Sequence, residues 1–287
     1  MNPDILIVHG PQVPETPLVL DSPHSGHRFP ADFAAAADTW ALRDGEDCFV
    51  DTLYMPATER GVPLLAAQFP RTYLDPNRHA ADIDLALLQD GHWPDAHVPS
   101  GKERLGKSLI WRLVGEGQAI YDRKLSVDEV RARVRRYHQP YHAALRGLID
   151  AAHAAFGVSV HLNCHSMNAV SGAIGVAGPG VAHADIVLGD RDGSTCDPAL
   201  TTFVRDLLAG RGYSVKVNDP FKGVELVRAY SDPAAGRHSL QIEVNKRLYM
   251  DEVTREPHGG FAQLQADLMD LVDALRGRYM PAGGSHG

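Results

Sequence analysis

Short runs of apolar and β-branched residues alternate along the chain with longer segments of helical periodicity. The short runs predict buried β-strands and lie at 16–20, 62–66, 158–162, 185–188, 213–217 and 239–244. The longer segments predict helices at about 47–59, 127–156, 198–209 and 259–278. Strands that alternate with helices indicate an α/β protein. We therefore expect a single-domain mixed or parallel sheet flanked by helices, with the active site at the carboxyl ends of strands.

The second of these helices carries explicit start and stop signals. Ser126 and Glu129 have the spacing of a capping box, and Gly157 is placed to end the helix. Pro140 should kink or interrupt the helix near Tyr137, because proline has no N–H group to donate.

No repeat, low-complexity tract or charged linker divides the sequence, so we expect one domain over residues 1–280. The tail at 281–287 is predicted to be disordered. The glycine-rich segment 172–180 is predicted to form a mobile loop near the active site.

Composition and charge exclude several classes of protein. The chain has 287 residues, 44% of them hydrophobic and 22% charged, which is typical of a globular protein in water. A net charge of -8 without a basic face argues against nucleic-acid binding. No apolar run approaches the roughly 20 residues that span a bilayer, and the first residues lack a signal-peptide pattern, so a cytoplasmic location is expected. Three cysteines without CxxC spacing exclude a disulfide framework.

Histidines after two predicted strands suggest a metal site. His24 lies in a tight turn after the first run, and His165 lies at the end of the strand that begins near 158. Neutral imidazole is a common zinc ligand, and a catalytic zinc site of this kind needs a carboxylate as its third ligand. Residues 44–51 supply several acidic candidates, although such residues also favour a helix N-terminus.

Other charged groups recur near strand ends. Glu243 lies in an otherwise apolar strand, where an unpaired carboxylate is costly, so a functional role is favoured. Arg71, Arg78 and Arg228 could each hold a substrate carboxylate by bidentate hydrogen bonds. For any one of these arginines, an ion pair with a neighbouring aspartate is the simpler interpretation. The GxSxG, phosphate-loop and HExxH motifs are absent from the sequence.

Taken in order, the polar clusters resemble the N-formylglutamate amidohydrolase family over nearly the whole chain. The matching segments include VLDSPHSGHRFP, FPRTYLDPNR, HLNCHSM, GYSVKVNDPFKG and RHSLQIEVNKRLYMDE. The resemblance implies a fold similar to zinc-dependent carboxypeptidases (phosphorylase/hydrolase-like). It also implies hydrolysis of N-formyl-L-glutamate to glutamate and formate in histidine degradation, with one divalent metal ion, Zn²⁺, per chain. The implied partner is a small-molecule N-formyl amino acid.

The resemblance assigns roles to individual residues of this chain. His24 and His165 match the metal-ligand histidines, and Asp47 is the expected acidic ligand, with Glu46 as its alternative. Glu243 matches the general base. The residues expected to bind substrate are Arg71, Asn77, Arg78, Arg228, Asn245 and Lys246.

Three departures from the family pattern lie around the expected pocket. Asn163 stands where the family usually has an aspartate that could orient a ligand, Lys246 stands where it usually has an arginine, and the segment 223–231 is altered. The alternatives are therefore the same chemistry on another N-acyl amino acid or small peptide, or a catalytically silent binding protein of the same fold. We expect a monomer or a small homo-oligomer.

Overall fold

A seven-stranded mixed sheet forms the centre of the molecule in the computed structural model, which describes residues 2–172 and 178–280. The strands are β1 (Leu6–His9), β2 (Leu18–Ser22), β3 (Leu64–Ala67), β4 (Leu113–Val114), β5 (Gln118–Ala119), β6 (Ser159–Met167), β7 (Ile186–Gly189), β8 (Val215–Val217), β9 (Arg237–Asn245), β10 (Met250–Asp251) and β11 (Glu256–Pro257). The main sheet has the order β1-β3-β2-β6-β9-β7-β8. Strands β3, β2, β6 and β9 are parallel, whereas β1 and the β7–β8 pair run in the opposite direction.

Helices cover both faces of this sheet. They are α1 (Thr39–Leu42), α2 (Val50–Tyr54), α3 (Val127–Arg133), α4 (Gln139–Phe156), α5 (Pro198–Gly210), α6 (Glu225–Tyr230) and α7 (Phe261–Tyr279). Helices α3, α4 and α6 contribute to the apolar core on one face, and α2, α5 and α7 contribute to the core on the other. The α/β class and the flanked, mostly parallel sheet predicted from the sequence are confirmed.

The two faces of the sheet centre differ in polarity because side chains of a strand alternate between faces. In β6, Leu162 and Cys164 join the core that contains α5 and α7. The alternate residues of the same strand are the buried polar side chains His161, Asn163 and His165. Strand β9 repeats this arrangement, so a row of buried polar groups lies beneath α4 and α6.

Each of the six predicted strands overlaps a strand of the main sheet, and the edge strand β1 was missed. The helix predicted at 47–59 starts later, at Val50, and changes to a 3-10 helix after Tyr54. The start is delayed because Phe49 adopts a left-handed backbone with φ 61°, and the N–H of Asp47 donates to the carbonyl of His24 at 3.1 Å. The residues before α2 are therefore shaped by a contact that is remote in sequence.

The helix predicted at 127–156 is confirmed, with an interruption close to the expected place. The side chain of Ser126 accepts from the N–H of Glu129, and the Glu129 carboxylate accepts from the N–H of Ser126. Gly157 ends α4 with φ 73°. A π-helical turn at Val134–His138 separates α3 from α4, directly before Pro140. Since proline cannot donate and its ring crowds the carbonyl four residues earlier, the wider turn accommodates it.

Two predictions fall outside the described residues. The tail at 281–287 lies wholly beyond them, and the proposed mobile loop at 172–180 has its central part, 173–177, beyond them. Within residues 2–172 and 178–280, no helix combines the length and the apolar character needed to cross a bilayer.

Candidate metal and catalytic site

The candidate site lies at the carboxyl ends of the parallel strands. His24 follows β2 by two residues, and His165 in β6 is directly opposite Glu243 in β9. Asp47 precedes α2, and all four side chains line one cavity of about 1060 Å³. The four side chains named from the sequence therefore lie together at this edge of the sheet.

Three buried donor atoms converge at one point of this cavity. Nδ1 of His24 lies 3.0 Å from Nδ1 of His165. Oδ2 of Asp47 lies 3.3 Å from Nδ1 of His24 and 3.0 Å from Nδ1 of His165. This His-Asp-His group could hold a metal ion.

The opposite nitrogen of each imidazole indicates where its proton lies. Nε2 of His24 is 2.7 Å from Oδ1 of Asp75, and Nε2 of His165 is 2.7 Å from Oδ1 of Asn163. Since both oxygens are acceptors, both Nε2 atoms donate, and each Nδ1 is left with a lone pair. Two lone pairs and a carboxylate oxygen at these separations repel one another unless a cation lies between them. The donor set therefore fits a divalent metal ion with nitrogen and oxygen ligands.

The charge states agree with that interpretation. Burial by itself would raise the pKa of Asp47, but contacts with His165 and His24 and the charge of Arg71 hold it below its ordinary value. Burial lowers the pKa of His165, and the charges of His24 and Arg71 lower it further against the opposing effect of Asp47. An ionised carboxylate with a neutral imidazole is the protonation state that metal binding requires.

Glu46, the alternative acidic ligand, is held elsewhere. Nε and Nη2 of Arg43 donate to its two carboxylate oxygens at 2.6 and 3.0 Å. Glu46 does not line the cavity, whereas Asp47 does. The hydrogen bond from the N–H of Asp47 to the carbonyl of His24 directs Asp47, and not Glu46, toward the histidines.

Glu243 is a buried carboxyl group beside the His-Asp-His group. Burial and the Asp47 carboxylate raise its pKa well above the ordinary value, against the opposing charges of Arg71 and Lys246. Nε2 of Gln241 donates to Oε1 of Glu243 at 3.0 Å. Within the described part of the chain, Glu243 forms no ion pair shorter than 4.0 Å, so it is not a structural ion-pair partner of Lys246.

The three arginines proposed for substrate binding line the cavity, but protein carboxylates already compensate their charges. Nη2 of Arg71 donates to Asp75 at 2.9 Å, and Nη1 of Arg78 lies 3.6 Å from the same carboxylate. Arg228 forms a bidentate pair with Glu225 at 2.9 and 2.7 Å. Burial would raise the pKa of Asp75, but Arg71 and Arg78 hold it well below its ordinary value. For each arginine the simpler interpretation, an ion pair, describes its contacts.

The remaining predicted binding residues divide into two groups. Oδ1 of Asn77 accepts from the N–H of Leu226 at 2.9 Å, which attaches this side chain to α6. Its Nδ2 lies 3.2 Å from Nε2 of His165, and because both nitrogens carry hydrogen this is a contact and not a hydrogen bond. Lys246 lines the cavity. Asn245 does not, because its buried side chain donates to a backbone carbonyl before β7 at 3.0 Å.

A buried network behind His165 was not predicted from the sequence. Nδ2 of Asn163 donates to Oδ1 of Asp21 at 2.8 Å, which fixes the amide so that its oxygen faces His165. Asp21 also accepts from the Tyr141 hydroxyl at 2.7 Å and contacts Nε2 of His161 at 2.8 Å. The neutral amide of Asn163 therefore still orients His165. The carboxylate of Asp21 acts on His165 through this amide and does not contact the imidazole directly. The sequence signal that could have indicated this network is the alternation of polar and apolar residues in HLNCH.

A stacked histidine pair was also missed. His138 and His142 have ring centroids 3.9 Å apart. Nε2 of His138 lies 2.9 Å from the carbonyl of Arg78, and Nε2 of His142 lies 2.8 Å from the carbonyl of Pro76. Burial and the neighbouring His138 lower the pKa of His142 to about 3, so it stays neutral. The π-helical turn and α4 thus hold the segment that carries Asn77.

Comparison with known proteins relates this geometry to a family. The family model for N-formylglutamate amidohydrolase matches residues 16–250. An N-formylglutamate deformylase from Pseudomonas putida is 28% identical over 256 residues and is covered over 82% of each chain. The enzyme of that name from Pseudomonas aeruginosa is 29% identical over 248 residues, with 82% of this chain and 83% of the relative covered.

Solved structures agree with that assignment. The crystal structure of N-formylglutamate amidohydrolase from Ralstonia eutropha JMP134 is 46% identical, has a TM-score of 0.89, and is matched over 96% of this chain and 98% of its own. The gene product Atu2144 from Agrobacterium tumefaciens, at 18% identity and a TM-score of 0.68 over 94% of both chains, shares the fold. A match over most of the chain, together with a relative of 46% identity, shows that this chain belongs to the N-formylglutamate amidohydrolase family.

Proposed function

We propose that this chain hydrolyses N-formyl-L-glutamate to L-glutamate and formate with one zinc ion per chain. The observation that carries the proposal is the convergence of His24, Asp47 and His165 beside Glu243 in one cavity. Two imidazoles and a carboxylate match the protein ligands of catalytic zinc sites, which leave a further position for water or substrate. The names of the two Pseudomonas relatives support the choice of substrate.

The proposed reaction assigns proton transfer to Glu243. When bound at the three ligands, zinc polarises the formyl oxygen and acidifies a water molecule. Glu243 accepts a proton from the attacking water and delivers it to the amine nitrogen as the C–N bond breaks. The water oxygen becomes part of formate, and the transferred proton leaves with glutamate. Gln241 orients the base through its hydrogen bond to Oε1, and Oε2 makes no hydrogen bond within the described residues.

Other residues of the chain position these groups. Asp75 and Asn163 accept from the Nε2 atoms of the two histidines and keep each Nδ1 lone pair directed at the metal position. Arg71 and Lys246 are the cations whose charges act on Glu243. Since Arg71 is paired with Asp75, we assign Lys246 to the substrate α-carboxylate, which is attached to the carbon next to the reacting nitrogen.

A second candidate function is the same hydrolysis on a larger N-acyl amino acid or a small peptide. The cavity volume of about 1060 Å³ favours it, because that is the upper end of the range for drug-sized ligands. We include in this proposal a fold similar to that of zinc-dependent carboxypeptidases and a role in histidine degradation, both of which the family resemblance implies. The cytoplasmic location and the monomer or small homo-oligomer remain predictions from the sequence.

Metal analysis combined with a formate-release assay tests the proposal. Purified protein should contain one zinc per chain and release formate from N-formyl-L-glutamate, and a chelator should remove both properties until zinc is restored. Faster release of a longer acyl group would favour the second candidate. Bound metal with no turnover of any N-acyl amino acid would support the catalytically silent alternative and refute both.

A further inference from the structure

Among the described residues, some lysines of the cavity have no carboxylate oxygen within 4.0 Å, whereas Lys222 of the same cavity pairs with Asp192 at 3.0 Å. Arg71, Arg78 and Arg228 each lie within 4.0 Å of an aspartate or glutamate oxygen. Within the described residues, the ion pairs at this distance include none with Lys107 or Lys102, although both line the same cavity. The arginines are therefore largely committed to the protein, and Lys107 and Lys102 carry charge that a bound anion could use.

Lys107 is held in place for such a role. Its Nζ lies 4.9 Å from the centroid of the Trp111 ring, and the Arg71 guanidinium lies at the same distance from that ring. Nε of Arg78 donates to the Lys107 carbonyl at 3.0 Å, and the Lys107 N–H donates to the carbonyl of Lys102 at 3.1 Å. Hydrogen bonds thus hold both the N–H and the carbonyl of Lys107, and its side chain lies against the Trp111 ring.

The electrostatic surroundings of Lys107 favour the arrival of an anion. Burial lowers its pKa to about 8, and the charges of Arg71, Arg78 and Lys102 act in the same direction. Asp44 opposes them, but its carboxylate accepts from the N–H of Gly115 at 3.2 Å. A half-buried ammonium group among like charges is unfavourable until an anion compensates it.

Arg71 connects Lys107 to the candidate metal ligands. Its Nη1 lies 3.9 Å from Oδ1 of Asp47, and its guanidinium packs on the same Trp111 ring as Lys107. Within the described residues, Lys107 itself forms no ion pair with Asp47 within 4.0 Å. The side-chain carboxylate of N-formylglutamate is separated from the reacting nitrogen by more bonds than the α-carboxylate, which fits a cation that is removed from the His-Asp-His group.

We propose that Lys107 is the residue that selects an acidic side chain, by binding the side-chain carboxylate of the substrate over the Trp111 ring. This inference rests on the proposed deformylase function. It assigns the distal carboxylate to a lysine outside the family motifs, in place of the motif arginines. Lys107 is a specificity-determining residue and takes no part in proton transfer.

The test compares two substrates that differ only in the distal group, N-formyl-L-glutamate and N-formyl-L-glutamine. Lys107→Gln should lower kcat/KM for the acidic substrate about 10- to 100-fold, mainly through KM, because a charge-assisted hydrogen bond is lost. The amide substrate should change less than about threefold, since it never made that bond. Lys216→Gln, an exposed lysine paired with Asp219 outside the cavity, is the matched control and should change neither value.

A pH profile separates the charge of Lys107 from a structural role. KM for N-formylglutamate should rise as pH increases above about 8, because Lys107 loses its proton, whereas KM for N-formylglutamine should not follow. Lys107→Arg should keep the preference for the acidic substrate and remove this rise, because arginine stays protonated. A fall in activity on both substrates that parallels a fall in Tm would mean that Lys107 is structural.

The failures of the two proposals can be distinguished. If wild-type protein releases formate from N-formylglutamate but Lys107→Gln retains the acidic preference, Lys107 is not the selecting residue and the proposed function stands. If wild-type protein releases formate from neither substrate, the proposed function is wrong, and this inference is wrong with it.

Discussion

Replacing Glu243 by Gln removes a proton acceptor and leaves the shape of the site almost unchanged. The side chain is buried, it contacts Gln241, and it forms no ion pair within 4.0 Å among the described residues. The amide can present its oxygen to Nε2 of Gln241 and keep that hydrogen bond. Metal binding should persist, because Glu243 is not part of the His-Asp-His group.

The expected loss is in the rate of the chemical step. General-base catalysis contributes about 10²–10⁴-fold, which corresponds to about 2.7–5.4 kcal/mol of transition-state stabilisation. We therefore expect kcat for N-formylglutamate to fall by that factor, with KM and bound zinc nearly unchanged. Glu256→Gln, an exposed residue of β11, is a matched control for the same chemical replacement and should behave as wild type.

The stability of the metal-free protein should change in the opposite direction from the rate. Burial and Asp47 raise the pKa of Glu243 above its ordinary value of 4.5. Above pH 4.5 the unfolded chain releases this proton more readily than the folded chain, so ionisation of Glu243 weakens folding as pH rises. The neutral amide avoids this penalty. The Tm of metal-free Glu243→Gln should therefore equal or exceed that of wild type at pH 7 and converge with it below about pH 4.5.

Single-turnover formate release, zinc analysis and thermal unfolding in the presence of chelator would provide the three measurements. Near-normal kcat combined with a clearly lowered Tm would refute the reasoning. That outcome would make Glu243 a structural residue and leave the proton transfer to another group.

Three further predictions concern the ligands and the helix start. His24→Ala and His165→Ala should each abolish zinc retention and formate release together, and a variant with stoichiometric zinc and full turnover would exclude that histidine as a ligand. Asp75→Asn should weaken zinc affinity about 10- to 100-fold in a chelator competition, because His24 loses its charged acceptor. It should also lower the free energy of unfolding by about 3–5 kcal/mol, because the buried Arg78 and the partly buried Arg71 lose their carboxylate; unchanged affinity and stability would contradict this. A hydrogen bond from an arginine lowers the pKa of Glu129 from 4.5 to about 2. Glu129→Gln should therefore lower the free energy of unfolding fully above pH 4.5, and the difference from wild type should vanish as pH falls toward 2. Urea titrations at several pH values would measure it.

The sequence determined the fold class because the signals for it are local. Apolar runs of strand length, helical periodicity and the capping box at Ser126 depend on neighbours within a few positions, and these elements are present in the structure. The edge strand β1, which pairs with β3, was missed. The sequence also indicated the chemistry, since His24, His165 and Glu243 each follow or end a buried strand.

Only the tertiary structure decided which of these groups meet and which are already neutralised. Glu46 and Asp47 are adjacent in sequence, and only a backbone bond to His24 turns one of them toward the histidines. Asn163 departs from the family pattern, yet Asp21 across the sheet fixes its amide.

For the cations around the cavity, too, the sequence does not show which side chains are already paired. A sequence shows that an arginine or lysine is charged but not whether a carboxylate lies beside it. The sequence therefore predicts substrate binding for Arg71, which is paired with Asp75, and gives no signal for Lys107. His24 and His165 are separated by 141 positions, and their nitrogens are 3.0 Å apart. Contacts across such separations depend on how strands are ordered and paired, which local periodicity does not encode.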